Sequence, residues 1–367
     1  MKINSFQDGA LLIEPKKLYP DDYDYENNII DYHQYLSPPS PLLLNLQIEE
    51  QREKLIRGTN DALSYMNSKS MSRIMRVDTN GELQVKALWL GSIETHSCSA
   101  NGKCYFVGSS PFWGDSTTSV WYSANGGDNW QQLKNWTFPA ENSLSEIHLW
   151  KIVKAEDNGQ IWLADDVTLY SSTDQGRHWQ RRVDTAAFLK RNGIHPHYTE
   201  EGNPLSQLNW LIDNQQHIVA DVEVLVRYDD GLRERRFLYL LNGKYPDEML
   251  GADINAAALS ADGNIFFTQR GENYARYGLY RLQDNGMPEQ VLEHIDRLSS
   301  IKIGLNSWFI GKGSGDAFHW YVSYDQGEQW RRMRPLSDEA IFDNWHDRFL
   351  KFSAHSQSET YWTTDYR

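Results

Sequence analysis

Residue types that could carry out chemistry occur close together in the chain, but their spacing completes no catalytic pattern. Residues 195–201 contain two His and two Glu, yet Pro196 separates the histidines and no four-ligand set is visible. The Gly- and Lys-containing segment 311–315 lacks the Gly-Lys-Ser/Thr run of a phosphate-binding loop. No Gly-x-Ser-x-Gly nucleophile motif occurs. These motifs therefore predict no catalytic residue, no metal and no cofactor.

The two cysteines of the chain, Cys98 and Cys104, are six positions apart. Between them, Ala100, Asn101 and Gly102 predict a three-residue hairpin loop that places the cysteines opposite each other, a geometry that permits a disulfide. A disulfide would indicate an oxidising compartment such as the periplasm. The alternative is a pair of reduced thiols in adjacent strands.

Three segments share the pattern Ser-x-Asp/Asn-x-Gly-x-x-Trp, and each follows a run rich in aromatic and β-branched residues. They are residues 123–130, 172–179 and 323–330. Asp or Asn accepts backbone hydrogen bonds two or three residues further on, Gly allows a positive φ, and Trp starts the next strand and packs across the hairpin. The pattern predicts hairpin turns, here called repeat turns. The residues predicted to build them are Ser123, Asn125, Gly127, Trp130, Ser172, Asp174, Gly176, Trp179, Ser323, Asp325, Gly327 and Trp330.

These segments resemble the Asp-box, or BNR, repeat of sialidase-like β-propellers. The first two begin 49 residues apart, and the second and third begin 151 apart, close to three such periods. A period near 50 is typical of propeller blades. Two further, degenerate turns are therefore expected, and residues 227–231 and 279–286 are the candidates.

The resemblance implies an all-β fold, a β-propeller whose blades have four antiparallel strands. Residues 71–367 number 297, which a period near 49 divides into six blades, although seven shorter blades also fit. The strand predicted at 359–365 would be joined by residues 72–77 or 82–86, which would close the ring. Residues 1–70 form a separate acidic, Tyr-rich extension with one helix predicted over 44–66. This extension either packs on the propeller or engages a partner.

The resemblance also raises an enzyme hypothesis, because sialidases clamp a carboxylate with three arginines, the first in an Arg-Ile-Pro motif. Arg73 lies one period before the first repeat turn, but Met75 stands where the motif has Pro. The loop after it, residues 91–96, has no Arg. A sialidase-like glycoside hydrolase or a glycan-binding propeller is therefore the alternative function, and the main prediction is a non-enzymatic protein.

Propeller topology predicts a binding face made by the loops between second and third strands and between blades. Aromatic side chains on such a face would suit a protein or sugar surface. The residues predicted to form this face are Phe112, Trp113, Asp115, Arg270, Glu272, Tyr274, Arg276, Lys312, Asp316 and Trp345.

The net charge of −14, from 36 Lys+Arg and 50 Asp+Glu, favours a protein partner over nucleic acid. An acidic surface speeds the capture of a basic partner. The predicted function is thus protein binding, as a bacterial immunity protein that neutralises a toxic effector or as an assembly or scaffold factor. No apolar run reaches the ~18 residues of a membrane helix, and the chain as given contains no signal-peptide pattern. We predict a periplasmic or other extracytoplasmic mature protein, with a cytoplasmic location as the alternative, and leave the oligomeric state open.

Overall fold

The structure is a computed structural model. It describes residues 2–5, 11–14, 71–77, 83–90, 92–109, 118–139, 150–165, 167–195, 203–228, 231–241, 248–271, 276–313, 318–333, 341–343, 347–352 and 361–364. Within these residues the chain is almost entirely β-structure, with one short helix, α1 (Ala186–Arg191). The helix predicted over 44–66 lies outside the described residues.

The chain divides into two compact units, residues 1–165 with 169–182 and residues 166–168 with 183–367. The first three sheets are built mainly from the first unit. Sheet 1 contains β1 (Lys2–Ser5), β2 (Leu11–Glu14), β3 (Met71–Val77) and β4 (Leu83–Leu90). Sheet 2 contains β5 (Ser92–Cys98), β6 (Cys104–Ser109), β7 (Thr118–Ser123) and β8 (Gln131–Gln132). Sheet 3 contains β9 (Lys151–Ala155), β10 (Ile161–Ala164), β11 (Thr168–Ser172) and β12 (Gln180–Asp184).

The second unit holds α1 and four more sheets. Sheet 4 contains β13 (Ile194–His195), β14 (Asn203–Ile212), β15 (Ile218–Tyr228), β16 (Gly231–Leu240) and β17 (Glu248–Ala252). Sheet 5 contains β18 (Ala257–Leu259), β19 (Ile265–Arg270), β20 (Arg276–Leu282) and β21 (Pro288–Asp296). Sheet 6 contains β22 (Leu298–Ile303), β23 (Trp308–Lys312), β24 (His319–Ser323) and β25 (Arg331–Arg332). Sheet 7 contains β26 (Ile341–Asp343), β27 (Arg348–Phe352) and β28 (Tyr361–Thr364).

Neighbouring strands within the sheets follow one another in sequence and pair antiparallel, except that β13 pairs parallel with β14 in front of the four antiparallel strands of sheet 4. First-to-second and third-to-fourth strand connections therefore lie at one end of a sheet, here called the turn end. In sheet 2 these connections are residues 99–103 and 124–130. Second-to-third connections lie at the opposite end, here called the loop end. The repeat turns thus belong to the turn end of sheets 2, 3 and 6.

The core lies between successive sheets, which explains the apolar runs of the second strands. All four residues of β10 are buried, as are the first four of β19, because both faces of these strands are covered. Tyr105 and Val107 pack with Ile161 and Leu163 between sheets 2 and 3. Similar clusters fill the spaces between sheets 4 and 5, 5 and 6, and 6 and 7 within the second unit. The all-β fold with four-stranded antiparallel sheets is thus confirmed.

Strand pairing at the two ends of the chain differs from the expectation. Residues 72–77 or 82–86 were expected to complete the last sheet, but β3 pairs with β2 and β4 in sheet 1. The apolar residues Leu11, Leu12 and Ile13 of β2 pair with β3, and β1 pairs with β2 at the edge, so two strands from the first 14 residues join this sheet. Within the described residues β28 pairs with β27. Seven sheets are described, while ring closure and the blade number, six or seven, stay predictions.

Candidate functional site

The three repeat turns form the same hydrogen-bonded structure. In each, the Ser hydroxyl donates to the Asp or Asn Oδ1 and accepts the Gly N–H, at 2.9 and 2.9 Å for Ser123, 2.8 and 2.9 Å for Ser172, and 2.7 and 2.7 Å for Ser323. The same Oδ1 accepts the backbone N–H four residues further on, at 2.9–3.0 Å. This bond spans one residue more than the sequence suggested, because the Gly of the shared pattern in each turn and the residue before it both have a left-handed backbone conformation. These residues are 126 and 127, 175 and 176, and 326 and 327.

The carboxylates of these turns are occupied by the turns themselves. The pKa of Asp174 lies well below its ordinary value, mainly because the carboxylate accepts the backbone N–H of His178. A hydrogen bond with the His178 side chain lowers this pKa further. The backbone N–H of Gln329 and the Ser323 hydroxyl lower the pKa of Asp325 in the same way. Both carboxylates are therefore ionised and already hydrogen-bonded, which suits a structural role and not general acid catalysis.

Glycines of the repeat turns lie directly against the preceding sheet. A side chain on Gly126 would meet the Arg76 guanidinium, and one on Gly176 would overlap the ring of Trp136. A side chain on Gly327 would meet Leu292 at 2.7 Å. The first and third repeat turns thus pack on the sheet before them, and the second packs on the segment that follows the last strand of sheet 2. The glycine allows both the positive φ and the close approach.

Polar contacts reinforce the packing of two repeat turns. Asp128, in the first repeat turn, forms ion pairs with two residues of sheet 1, with Lys86 Nζ at 2.6 Å and Arg76 Nη1 at 3.3 Å. In sheet 3, Trp179 Nε1 donates to the carbonyl of Thr137 at 2.5 Å, and the Thr137 N–H donates to the Gly176 carbonyl at 2.9 Å. At the turn ends of sheets 1, 2 and 3, polar contacts therefore link each repeat turn to the preceding part of the chain.

The first-to-second strand connections at the turn end are also tied together from sheet to sheet. Asp157 accepts the Asn101 N–H at 2.9 Å, and the Asn214 amide donates to the Asp262 carbonyl at 2.7 Å. Asp347 accepts the N–H groups of residues 306 and 307 at 2.9–3.2 Å. The turn end is thus held by short polar bridges as well as by packing.

Cys98 and Cys104 form the predicted disulfide in the same region. The two residues are direct partners in the β5–β6 register, with Cα atoms 4.1 Å apart. The intervening loop turns at Gly102, whose φ is +85°. A disulfide is compatible with an extracytoplasmic location.

Three residues of the predicted binding face are described, and all lie at the loop end of two adjacent sheets. Arg270 and Arg276 flank the β19–β20 connection, and Lys312 ends β23, with Nζ 5.2 Å from the ring centre of Tyr321. The remaining predicted residues lie outside the described residues: Phe112, Trp113, Asp115, Glu272, Tyr274, Asp316 and Trp345.

A long hairpin at the loop end of sheet 4 was not expected from the sequence. Strands β15 and β16 pair as far as Tyr228 and Gly231, whereas β14 accompanies β15 only to Val224 and β17 accompanies β16 only to Phe237. Among the described residues, the last four pairs thus have no third strand, a length of about 10 Å at about 3.4 Å per residue. Leu225 and Val226 are half-buried, and Val226 packs against the core cluster of Phe188 and Leu189, so the tip itself begins at Arg227. Its exposed residues are Arg227, Gly231, Leu232, Arg233 and Glu234.

The hairpin also corrects the assignment of residues 227–231 as a degenerate repeat turn. These residues join the second and third antiparallel strands of sheet 4, so they lie at the loop end and not the turn end. The Asp-Gly pair that suggested a repeat turn is a signal shared by two-residue hairpin turns in general. The other candidate, residues 279–286, does lie at a third-to-fourth connection, where the Gly286 N–H donates to the Gln283 carbonyl at 2.8 Å.

An ion pair between a buried Asp and a half-buried Arg lies at the base of the hairpin. Arg236 donates to both oxygens of Asp221, through Nε at 2.6 Å and Nη2 at 2.5 Å, and Asp221 is 3% exposed. Hydrogen bonding to Asp221 raises the pKa of the Arg236 guanidinium. Because a bidentate pair of this kind fixes the register of its two strands, the tip extends from a rigid base.

The arginine named by the enzyme hypothesis has a defined position in sheet 1. Arg73 lies within β3, opposite Leu88 of β4.

No group of three or more His, Cys, Asp and Glu side chains in the described ranges could hold a metal ion. Of the His/Glu segment, His195 ends β13 and residues 196–201 lie outside the described residues. Within the described residues, no helix is long and apolar enough to cross a membrane.

No family model matches the chain, and no curated protein does. Solved structures with similar folds include the GH74 xyloglucanase of Xanthomonas campestris, at 13% identity and a TM-score of 0.37 over 76% of this chain and 45% of the enzyme. TolB of Acinetobacter baumannii matches at 12% identity and a TM-score of 0.36, over 70% and 58% of the two chains. A PL25 ulvan lyase matches at 13% identity and a TM-score of 0.43, over 80% and 86%. The chain thus spans less than half of the xyloglucanase, and similarity at this level does not specify a function.

Proposed function

We propose that the chain is a non-enzymatic β-propeller of the Asp-box type, and that it binds another protein through its loop end. The observation that carries this proposal is the projecting β15–β16 hairpin. Its tip extends past the neighbouring strands, and Leu232 is 46% exposed there. A projecting, pre-ordered element engages a partner with little loss of conformational freedom, which favours binding.

The side chains of the tip suit a protein surface. On one face, Leu225 and the exposed Leu232 lie diagonally across the hairpin. Glu234 is the cross-strand partner of Leu225, and Arg227 is that of Leu232. An apolar centre bordered by charges of both signs is the usual composition of a protein contact. The negative charge of the whole chain would speed encounter with a basic partner, while the tip would supply the contact.

The disulfide supports placement in an oxidising space, and we assign the protein to the periplasm or another extracytoplasmic site. A bacterial immunity protein against a toxic effector and an assembly or scaffold factor are two forms of this function. The neighbouring gene separates them, because an immunity protein is expected beside the gene of its toxin.

A capture experiment with two matched variants tests the proposal. Leu232 and Leu305 are equally exposed, at 46%, but Leu305 lies in the β22–β23 connection at the turn end. Wild type, Leu232→Asp and Leu305→Asp are immobilised and exposed to extract of the native source. We expect a partner that wild type and Leu305→Asp retain and that Leu232→Asp binds at least tenfold more weakly, because burying an unpaired carboxylate in a contact is costly.

A partner that is retained equally by both variants would move the contact away from the hairpin. The glycosidase alternative is examined in parallel with a panel of fluorogenic sialosides and aryl glycosides. Turnover that disappears in Arg73→Ala would replace the proposed function with catalysis.

A further inference from the structure

The outer edge of β16 has no neighbouring strand near the hairpin tip in the part of the chain that is described. β17 accompanies β16 only as far as Phe237, and the last backbone bond on this side joins the Ile254 N–H to the Arg236 carbonyl at 3.1 Å. On its other side, β16 pairs with β15 along its whole length without a register shift. Residues 231–235 are therefore paired with a strand on one side alone, and this stretch is here called the open edge.

Two residues of the open edge direct their backbone groups away from β15. In an antiparallel pair, the N–H and C=O groups of successive residues point alternately towards the partner strand and away from it. The Arg236 carbonyl faces outward to Ile254, so Glu234 and Leu232, two and four positions before it, face outward as well. No hydrogen bond links the outward backbone groups of Leu232 and Glu234 to another described residue. These groups therefore offer donors and acceptors at the spacing of a β-ladder.

The side chains of Leu232 and Glu234 determine what can pair beside them. Both are exposed, and they lie on the same face of the hairpin because they are two positions apart. An apolar side chain opposite Leu232 would cover a residue that is 46% exposed, and a basic side chain opposite Glu234 would complement its charge. Since an antiparallel strand runs in the reverse direction, its basic residue precedes its apolar residue by two positions. The open edge thus favours the pattern Lys/Arg-x-Leu/Ile/Val.

Charge also distinguishes this occupant from a second copy of the chain. Two copies that pair antiparallel through both Leu232 and Glu234 are related by a two-fold axis at residue 233 or at residue 234. The first arrangement places Arg233 opposite its own equivalent, and the second places Glu234 opposite its own equivalent. Like charges directly opposite each other destabilise a strand pair. The net charge of −14 likewise favours a basic partner over an identical chain.

We propose that an extended segment of another protein, carrying the pattern Lys/Arg-x-Leu/Ile/Val, adds to sheet 4 as an antiparallel strand along the open edge. Strand addition gains its affinity from main-chain hydrogen bonds and its specificity from alternate side chains. This binding mode rests on the proposed function and adds a partner sequence to it.

Peptide selection on the full chain tests this binding mode. A displayed library of random peptides is selected on immobilised wild type and, in parallel, on a surface without protein. Enriched peptides are synthesised, and their affinity for wild type, Glu234→Pro and Glu234→Gln is measured by fluorescence polarisation. Proline removes the outward N–H and leaves the bonds to β15 in place, a substitution that edge strands tolerate. Glutamine is the matched control, because it keeps this N–H and removes only the charge.

We expect the enriched peptides to contain the pattern Lys/Arg-x-Leu/Ile/Val. Their affinity should fall tenfold or more in Glu234→Pro and clearly less in Glu234→Gln, while the melting temperatures of both variants stay close to that of wild type. Amide hydrogen exchange of wild type supplies a measurement that needs no variant. A saturating peptide should slow the exchange of the Leu232 and Glu234 N–H groups tenfold or more, because both become hydrogen-bonded.

Three results would overturn strand addition: no enrichment over the bare surface, enrichment of acidic peptides, or unchanged exchange at both N–H groups. Equal affinity for wild type and Glu234→Pro would overturn it as well. The proposed function fails by a different result, a captured partner that binds Leu232→Asp as tightly as wild type. A partner that Leu232→Asp loses and Glu234→Pro retains would keep the protein contact and exclude strand addition.

Discussion

At the scale of single residues, the clearest chemistry is that of the repeat-turn carboxylates. Asp174 and Asp325 accept backbone N–H groups in the folded chain, which lowers the pKa of each below the ordinary 3.8. A lowered folded-state pKa means that the charged form stabilises the fold above the unfolded value. This stabilisation is lost as the pH falls from about 4 towards the folded-state pKa.

The double variant Asp174→Asn/Asp325→Asn should therefore be less sensitive to acid than wild type. Asn already occupies the equivalent position at residue 125, where its Oδ1 accepts the same backbone N–H at 3.0 Å, so the turn should still form. We expect urea midpoints of the variant slightly below wild type at pH 7, with a smaller decrease between pH 5 and pH 3. An equal decrease in both proteins would show that other carboxylates account for the acid sensitivity.

At the scale of elements, the repeat turns act as contacts between sheets. Gly176 and Gly159 are turn glycines of the same sheet, with φ of +79° and +92°. A side chain on Gly176 would overlap Trp136, whereas one on Gly159 would meet nothing nearer than Lys103 Nζ at 3.9 Å. A side chain would strain the backbone at both positions, because both have a positive φ. Only at Gly159 is there free space for the added Cβ atom.

Replacing each glycine by alanine separates these two effects. Gly159→Ala should reduce the free energy of unfolding by about 1 kcal/mol, the strain of a left-handed residue. Gly176→Ala should reduce it by about 1–3 kcal/mol more, because Trp136 must shift away from sheet 3. The measurement is urea denaturation of both variants, followed by tryptophan fluorescence. Equal losses would mean that the repeat turn does not rely on its contact with Trp136.

Local signals at the turn end made much of the element arrangement predictable. The Ser, Asp and Gly of the third repeat turn and the three-residue loop between Cys98 and Cys104 each specify a geometry within a few residues. The β15–β16 hairpin was not predictable from the period, because its strands have 11 and 10 residues and displace the Asp-Gly signal to the loop end. The pairing of β2 with β3 joins residues about 60 apart, and no local pattern specifies such a contact.

At the scale of the whole molecule, the net charge of −14 leaves an excess of carboxylates, and the described ion pairs range from the exposed Arg281–Glu289 pair to the largely buried Arg236–Asp221 pair. Exposed pairs contribute about 0–1 kcal/mol each, so they offset only part of the repulsion among the excess carboxylates. This repulsion acts over a Debye length of about 30 Å at 0.01 M salt and about 8 Å at 0.15 M. Added salt should therefore stabilise the protein at neutral and alkaline pH.

Thermal unfolding at two salt concentrations tests this expectation, followed by the fluorescence of the 14 tryptophans. At pH 8, raising the salt from about 0.01 M to about 0.15 M should raise the melting temperature by about 2 °C or more, because screening weakens the self-repulsion. At pH 5.2, near the isoelectric point, the same change should leave it unaltered or lower it, since the net repulsion is absent and screening also weakens the attractive pairs. An equal rise at both pH values would assign the salt effect to specific ion binding and would remove net charge as its cause.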